Sequence, residues 1–591
     1  MHRQVAVETR PKTGLGLGWI LAATIFVSAF LLFQVQPLIG KFILPWFGGS
    51  PAVWTTAMLF FQCVLFGGYS YSHLTSKYLG LHRQTQLHIA LLIVASVMAW
   101  FVVPMDVLKP TGDENPTLKI LALLGICVGL PYFMLSTTGP LIQAWYGRAY
   151  PGTSPYRLFA LSNFGSLLAL LSFPFLFEPN LELPAMGRFW MIGFWVFAGI
   201  CTYAASRVLW THLDQVKQQV EAPRTEVAAT PPLREKLSWI GLPAIASLTF
   251  IATSNHVCHN VPPTPFLWII PLALYLTTFI ICFDHERWYK RELFAVACAG
   301  AILLLLSYDR IVDLLWDNFA YESVSDTWKN WFSPARRDTL QHLDVRLGYV
   351  QELVLFFGTM FLMCMICHGE LVKLRPRNHA YLTEYYLMIS AGGALGGLFI
   401  SFVAENLFDD YYEWSLGLIA CLLIACGVLG SAVKAKLATG VTSLRIAAAV
   451  AVFALTFGGT IWAVSQTSPS LLARSNVVSD DESTETTVYQ DRNFYGRVQV
   501  RESRYHRPEF GDDIMTFRSG GIIHGEQLLD PTKRETPISY YHASSGVGRA
   551  LHAVIGSAAN RKLKYAVIGL GAGSLAAYAR PAAGRVPPTS A

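Results

Sequence analysis

Three glycines towards the C-terminal end of the chain, Gly569, Gly571 and Gly573, have the spacing of a loop that binds a nucleotide. They lie in Lys564–Tyr578 (KYAVIGLGAGSLAAY), where an apolar run precedes the glycines and small residues follow them. Glycines let the backbone approach a ligand closely, and the N–H groups at the start of the next helix then point at it. The pattern therefore predicts a βα unit with a nucleotide-like ligand.

The sequence supplies only the beginning of such a domain. Ala591 is the last residue, 18 positions after Gly573. A Rossmann-like domain needs several more βα units to bury its sheet, and the final residues (PAAGRVPPTSA) have a Pro/Ala composition that does not predict a second strand. We expect a truncated Rossmann-like start over residues 556–591, and we assign no catalytic residue and no metal site.

A second group of polar residues lies in or beside long apolar runs: Gln34, Gln36, Gln62, His256 and Glu384. Buried polar groups in a bilayer are costly, so such side chains face a cavity or one another. Contact with a transported solute and hydrogen bonding between helices are both consistent with each residue. We predict a transport cavity at these positions, with His256 as a polar helix end.

Composition places both groups in a membrane protein. Hydrophobic residues make up 53% of the chain, charged residues 14%, and the mean hydropathy is +0.39; globular domains carry about 25% charged residues. Runs of about 17–25 apolar residues cross a bilayer as helices. The sequence predicts thirteen spans, centred near Ile25, Phe60, Ile93, Cys127, Leu168, Phe194, Ala246, Leu274, Ile302, Phe357, Leu395, Ile419 and Phe453.

Basic loops alternate with acidic ones, which places the N-terminus in the cytoplasm. Thirteen spans then put residues 476–591 outside the cytoplasm, where a nucleoside-like substrate is not expected, so the side of the C-terminal domain stays open. The net charge of +6 fits cytoplasmic loops better than a nucleic-acid partner. All ten cysteines, Cys63 to Cys426, lie in or beside apolar runs, which argues against a disulfide framework.

Two segments of the membrane region are similar to each other. Leu161–Pro179 and Ile389–Leu407 each carry a serine, a glycine three positions later, an apolar run and an acidic end. Two six-helix halves joined by a cytoplasmic linker are the pattern of major facilitator-type transporters. The predicted organisation is an N-terminus (1–14), a first half (15–206), a linker (207–236), a second half plus one extra span (237–466), an acidic linker with a small β-domain (467–555) and the truncated α/β unit (556–591).

The β-domain is predicted from alternating polar and apolar residues. Tyr495–Ser503 and Ile514–Gly525 have this period, with a Ser-Gly-Gly turn inside the second segment. Ile538–Ile555 is predicted to be helical. The fold class is therefore a polytopic α-helical membrane protein followed by a small β-domain and the first βα unit of a Rossmann-like domain.

Seven motifs remain to be placed. Four lie near the C-terminus: Arg492–Gly496, Gly520–Asp530, Tyr540–Leu551 and Val567–Gly573. Three lie in the membrane region: Gln36–Gly49, Pro265–Phe279 and Cys367–Leu371. The C-terminal set resembles the spermidine synthase (polyamine aminopropyltransferase) family, and the membrane set resembles bacterial fusions of that family to a major facilitator-like region. The resemblance implies a multi-pass protein of the bacterial inner membrane, related to polyamines, with the bilayer and a small solute as partners; it says nothing of the oligomeric state.

The resemblance also implies a cofactor, decarboxylated S-adenosylmethionine or S-adenosylmethionine, held by the three glycines together with His524, Tyr541 and His542. This chain departs from the family at Ala572 and Ala543, and the acidic residues expected on later strands are not in the sequence. Aminopropyl transfer by this polypeptide alone is therefore not expected, although a positioned carboxylate is what such a transfer requires.

Three functions remain open from the sequence. The first is a fused transporter/spermidine synthase-like protein with an incomplete enzyme domain. The second is a transporter or membrane scaffold for an unknown solute, with a sensing or vestigial C-terminal domain. The third is an S-adenosylmethionine-dependent methyltransferase-like module on a membrane anchor.

Overall fold

Long apolar helices follow one another over most of the chain. The computed structural model describes residues 15–104, 108–110, 115–150, 156–218, 230–260, 267–319, 334–376, 381–438, 451, 454, 458, 485–503, 513–519, 522–557, 564, 566–567 and 571–579. In this described part, ten helices have the length and the apolar composition needed to cross a membrane. Helices satisfy their own backbone hydrogen bonds, as a bilayer requires. The chain is a multi-pass helical membrane protein.

The α-helices are numbered in chain order. They are α1 (Leu15–Phe47), α2 (Pro51–Tyr78), α3 (Leu81–Met98), α4 (Pro116–Leu124), α5 (Leu130–Ala149), α6 (Tyr156–Ser172), α7 (Glu178–Asn180), α8 (Leu183–Gln218), α9 (Leu233–Asn260), α10 (Ile269–Asp284), α11 (Arg291–Phe319), α12 (Pro334–Lys373), α13 (Leu382–Leu398), α14 (Glu405–Leu407), α15 (Tyr412–Ala438) and α16 (Gly546–Ser557). Short 3-10 turns cover Ala99–Phe101, Glu286–Trp288, Ser539–Tyr541 and Ser574–Tyr578.

Ten of the thirteen predicted centres lie in the ten helices that could cross a membrane. Leu274 lies in α10, an apolar helix of 16 residues that is short for a full crossing. Ile302 lies in α11, which is not among those ten helices. The span predicted near Phe453 falls outside the described residues. The helix α8 continues to Gln218, within the predicted linker.

The two similar sequence segments share an irregularity in the structure. In the first, a π-helical turn at Phe173–Phe177 connects α6 to α7. In the second, a π-helical turn at Phe399–Ala404 connects α13 to α14. A π turn adds a residue to the helix and changes the direction of the following side chains. The likeness seen in the sequence therefore extends to a matching feature of the backbone.

Helices from early and late parts of the membrane region pack against each other in a crossed pattern. α2 packs on α13, and α6 packs on α10. Within the late part, α11 packs on α12 and α15 around the buried residues Cys298, Ile366 and Leu422. In the early part, α1 packs on α5, α6 and α8 around Leu21 and Trp145. Buried side chains thus connect the spans into one helical bundle.

A small antiparallel sheet lies in a separate compact unit. Its strands, β1 (Glu485–Asn493), β2 (Gly496–Ser503), β3 (Ile514–Ser519) and β4 (Ile522–Leu528), are hydrogen-bonded in sequence order. Ile514, Leu528 and Ile538 form its buried apolar cluster. The predicted small β-domain is confirmed as a sheet, and the helix after it begins at Gly546, later than predicted.

The predicted Rossmann-like start is not formed in the described residues. Lys564, Ala566 and Val567, which the sequence places in a strand, are not in a strand, and a 3-10 turn follows the glycines where an α-helix was expected. A parallel strand becomes stable only when other strands pair with it and helices cover it.

Candidate functional site

A central cavity of about 170 Å³ lies among the membrane helices. Its described lining comes from α1, α2, α5, α6, α9, α10 and α13. Polar side chains in the lining are Ser28, Gln36, Gln62, Tyr69, Tyr132, Ser136, Ser162, Asn163, Ser166, Tyr275, Tyr386 and Ser390. Phenylalanines and aliphatic residues make up most of the remainder. The cavity therefore combines apolar faces with a limited number of neutral hydrogen-bonding groups, as small-molecule sites do.

Two of the five predicted cavity residues line this cavity. The side-chain amide of Gln36 donates a hydrogen bond from Nε2 to the Oη of Tyr132 at 3.2 Å. The amide of Gln62 donates from Nε2 to the Oγ of Ser247 at 2.9 Å, and that hydroxyl donates to the carbonyl oxygen of Gly393 at 3.0 Å. Both predicted uses of a buried amide, cavity lining and helix–helix bonding, thus occur in the same two residues.

The other three predicted residues do not line the central cavity. Gln34 is 4% exposed and lies elsewhere on α1. The ring of His256 stacks on Trp414, with centroids 4.6 Å apart. Glu384 forms an ion pair with Lys236, Nζ to Oε1 at 2.6 Å. Residues distant in sequence contact His256 and Glu384, whereas the Oε1 of Gln34 has no hydrogen-bond partner among the described residues.

Removing Lys236 is expected to destabilise the membrane region. Lys236→Met leaves the carboxylate of Glu384, whose side chain is 21% exposed, without its ion-pair partner. A hydrogen bond to a charged group contributes about 1.5–3 kcal/mol, and the thermal unfolding temperature in detergent should fall accordingly. The double reversal Lys236→Glu/Glu384→Lys should recover most of the loss.

The pair Arg375–Glu286 is a matched control for this prediction. Its N–O distance is 2.7 Å, close to that of Lys236–Glu384, but the Glu286 side chain is 71% exposed. Exposed pairs contribute about 0–1 kcal/mol, so Glu286→Gln should change the unfolding temperature much less than Lys236→Met. Equal shifts in the two variants would contradict the assignment of Lys236–Glu384 as a structural pair.

A second cavity, of about 80 Å³, lies where α1 ends and α2 begins. The ion pair of Lys41 with Glu178, 2.6 Å from Nζ to Oε1, is in its lining. The hydroxyl of Thr55, on α2, donates to the Oδ1 of Asn255 on α9 at 2.7 Å. Trp54 and Trp268 also meet here, with ring centroids 3.7 Å apart. We call this region the terminal cavity.

Sequence reasoning missed most of the central cavity. Asn163 and Ser166 lie in the first of the two similar segments, so the likeness itself was an available signal for them. Tyr132 and Tyr275 give no such signal, since aromatic residues are common throughout apolar spans. Only the folded bundle brings these rings together.

In the C-terminal unit, three of the predicted cofactor-binding residues are close together. A Cβ atom built on Gly571 would lie 3.6 Å from the carbonyl oxygen of His524 and 3.6 Å from the Oη of Tyr541. Gly571 and Gly573 have φ angles of +55° and +72°, which favour glycine. His542 bonds instead to Ser544, Nδ1 to Oγ at 2.7 Å. Gly569 lies outside the described residues.

The fit of this cluster to a nucleotide-like cofactor is incomplete. The hydroxyl of Tyr540 donates to the carbonyl oxygen of His524 at 2.8 Å, and that of Tyr578 donates to the carbonyl oxygen of Tyr541 at 2.6 Å. Burial, together with the neighbouring Tyr541, raises the pKa of Tyr540 to about 12, so this hydroxyl stays a neutral donor. The turn accommodates a close backbone approach, whereas the helix N-terminus that the motif requires is a short 3-10 turn.

Metal ligands do not cluster in the described part of the chain. Across those residues, no group of three or more His, Cys, Asp or Glu side chains is arranged to hold a metal ion. None of the ten cysteines, all of which lie in the described residues, forms a disulfide, and eight of them, including Cys364 and Cys367, are buried.

Comparisons with known proteins give weak likenesses. No protein-family model matches the chain, and a search of curated proteins found no match. A solved structure of a POT peptide transporter in complex with sulfate is 14% identical over 71% of this chain and 94% of its own, with a TM-score of 0.40. A solved structure of an auto-inhibited POT family peptide transporter is 14% identical over 81% of this chain and 99% of its own, with a TM-score of 0.29. Scores below 0.5 do not establish a shared fold, and no spermidine synthase is among these likenesses.

Proposed function

We propose that this protein is a membrane transporter for a small solute, built from two six-helix halves in a major facilitator-like arrangement. The central cavity is the observation that carries the proposal, because helices from both halves line it. Transporters of this kind bind their solute near the middle of the membrane, between two repeats that move against each other. A cavity lined by both halves meets this requirement.

The crossed helix packing supports the two-half arrangement. If α6 corresponds to α13, as their matching π turns suggest, then α2 corresponds to α10 by its place in the order of spans. The contact of α2 with α13 and that of α6 with α10 then exchange under a two-fold rotation. An approximate two-fold axis through the cavity is the geometry that inverted or parallel repeats produce.

The contacts between the halves include several polar ones. Besides Thr55–Asn255, the imidazole of His73 on α2 lies 2.9 Å, Nδ1 to Oγ1, from Thr383 on α13. Individual hydrogen bonds contribute about 0.5–1.5 kcal/mol each. Such contacts are weak enough to break when one half rocks against the other, so they support an opening motion at either end of the cavity.

A scaffold with a buried void is the competing function, and cavity access distinguishes the two. Ser166 lines the central cavity and is 3% exposed. In Ser166→Cys, a membrane-impermeant thiol reagent should modify the new cysteine from either side of sealed vesicles, since a transporter opens its site alternately. The parent chain, treated with the same reagent, controls for labelling of the native cysteines. A cysteine that is reachable from neither side would support a scaffold and contradict transport.

A second proposal concerns the C-terminal unit, because the structure places His524, Tyr541 and Gly571 together. We propose that this unit binds a nucleoside-sulfonium ligand as a sensor, in keeping with the spermidine synthase-like motifs; placement in a bacterial inner membrane and a link to polyamines belong to the same proposal. The full-length protein should bind decarboxylated S-adenosylmethionine, and Gly571→Val should abolish binding by filling the turn. Preference for S-adenosylmethionine would favour the methyltransferase-like alternative, and binding of neither would contradict the proposal.

A further inference from the structure

We propose that the central cavity binds an uncharged solute of about one ring in size, carrying both hydrogen-bond donors and acceptors. This inference rests on the transporter proposal and specifies the class of solute. Buried amides, packed aromatic rings and the placement of the charged pairs each support it.

Three amides in the cavity wall, those of Gln36, Gln62 and Asn163, have unused hydrogen-bonding capacity, and Gln36 and Asn163 are the two buried residues among them. Gln36 is 2% exposed and Asn163 is 9% exposed. The Oε1 of Gln36 and the Nδ2 of Asn163 have no hydrogen-bond partner among the residues that the structure describes. An unsatisfied buried polar group costs about 1–3 kcal/mol. A solute that supplies one donor and one acceptor would recover part of that free energy, which makes these two amides the expected recognition groups.

Aromatic rings from early and late helices line the cavity. From the early helices, Phe61 and Tyr132 pack with centroids 4.8 Å apart. From the late helices, Tyr275 packs on Phe250 at 5.1 Å and meets Phe279 edge-on at 5.3 Å. Rings in such clusters bind another ring by stacked or edge-to-face contact. A planar solute therefore fits between the two sets.

Two ion pairs of the membrane region lie outside the lining of the central cavity. Lys41 bonds to Glu178 in the terminal cavity, and Lys236 bonds to Glu384 at the first turns of α9 and α13. Among the described lining residues of the central cavity there is no Asp, Glu, Lys, Arg or His. Burying a charge beside neutral groups costs far more than burying a neutral amide. The lining therefore favours an uncharged solute over a polyamine dication.

The volume limits the size of the solute. A cavity of about 150 Å³ in another protein binds benzene, and the central cavity has about 170 Å³. One six-membered ring with a small polar substituent fits this space.

The test is a binding comparison on the purified full-length protein in detergent, measured by calorimetry. The uncharged probes are nicotinamide, benzamide and uracil; the charged probes are nicotinate, which has the ring of nicotinamide with a carboxylate, putrescine and benzyltrimethylammonium. We expect at least one uncharged probe to bind about 10-fold or more tightly than every charged probe. Failure of all three uncharged probes, or tighter binding of any charged probe, would overturn the proposal.

Variants then locate the binding. Gln36→Leu and Asn163→Leu should each lower the binding affinity for the uncharged probe about 10-fold or more, because each removes one recognition group. Gln34→Leu is the matched control, since Gln34 is a buried amide on the same helix outside the cavity lining, and it should leave binding unchanged. If a variant does not fold, the wild-type comparison decides alone. Binding of an uncharged probe without flux would sustain this inference and contradict the transporter, whereas flux of a charged solute would do the reverse.

Discussion

Cross-linking α2 to α9 at the terminal cavity is expected to stop solute flux completely. In Thr55→Cys/Asn255→Cys, the new thiols replace side chains whose oxygen atoms are 2.7 Å apart. A covalent link there prevents this end of the bundle from opening, so the cavity can exchange solute with one side only. Flux into proteoliposomes, measured before and after oxidation, should fall to background and return when dithiothreitol reduces the link.

The controls for the cross-link are the two single-cysteine variants and the neighbouring Cys258. Cys258 lines the same cavity and should be replaced by serine throughout, so that it cannot form an alternative disulfide. Each single variant should keep its flux under the same oxidation. Unchanged flux in fully cross-linked protein would mean that this end of the bundle does not open during transport.

The second large effect is expected at two glycines of α13. A Cβ atom at Gly392 would collide with the backbone carbonyl of Ile240, and one at Gly396 would lie 2.6 Å from the carbonyl oxygen of Ala244. Close helix approach through small residues is a common means of packing in membranes. Gly392→Ala and Gly396→Ala force α9 and α13 apart, and each should cost about 1–3 kcal/mol, visible as a lower unfolding temperature and as aggregation in detergent.

Gly241→Ala tests whether this effect is steric. Gly241 lies on α9, the partner helix, but a Cβ atom built there meets no described atom within 4 Å. Alanine is the better helix former by about 1 kcal/mol, so this variant should be neutral or slightly stabilised. If Gly241→Ala and Gly392→Ala lowered the unfolding temperature equally, close packing of α9 on α13 would not explain the glycines.

The sequence predicts the helices well because apolar length is a local property. It also identifies the repeated segments, in each of which a π turn directly precedes the acidic residue. Gln36 and Gln62 could be assigned to the cavity because a buried amide in an apolar span must face a polar neighbour or a void.

The same reasoning fails where a distant partner satisfies the polar group. Glu384 is a polar residue in an apolar span, as Gln36 and Gln62 are, yet Lys236, 148 positions earlier, forms an ion pair with its carboxylate. His256 is covered by the ring of Trp414. Val567 is apolar as a strand requires but lies in no strand of the described residues. Partners distant in sequence decide the surroundings of Glu384 and His256, and a local pattern does not identify them.

Transport by this protein requires flux of the solute through the central cavity. The most direct measurement is the accumulation of labelled nicotinamide, benzamide and uracil in proteoliposomes that contain the full-length protein. Protein-free liposomes are one control. The variant Ser166→Trp is the other, because its large side chain would occupy part of the cavity. We predict protein-dependent accumulation of at least one of these solutes and its loss in Ser166→Trp. Accumulation equal to that of protein-free liposomes for all three, or unchanged accumulation in Ser166→Trp, would contradict transport of an uncharged solute through this cavity.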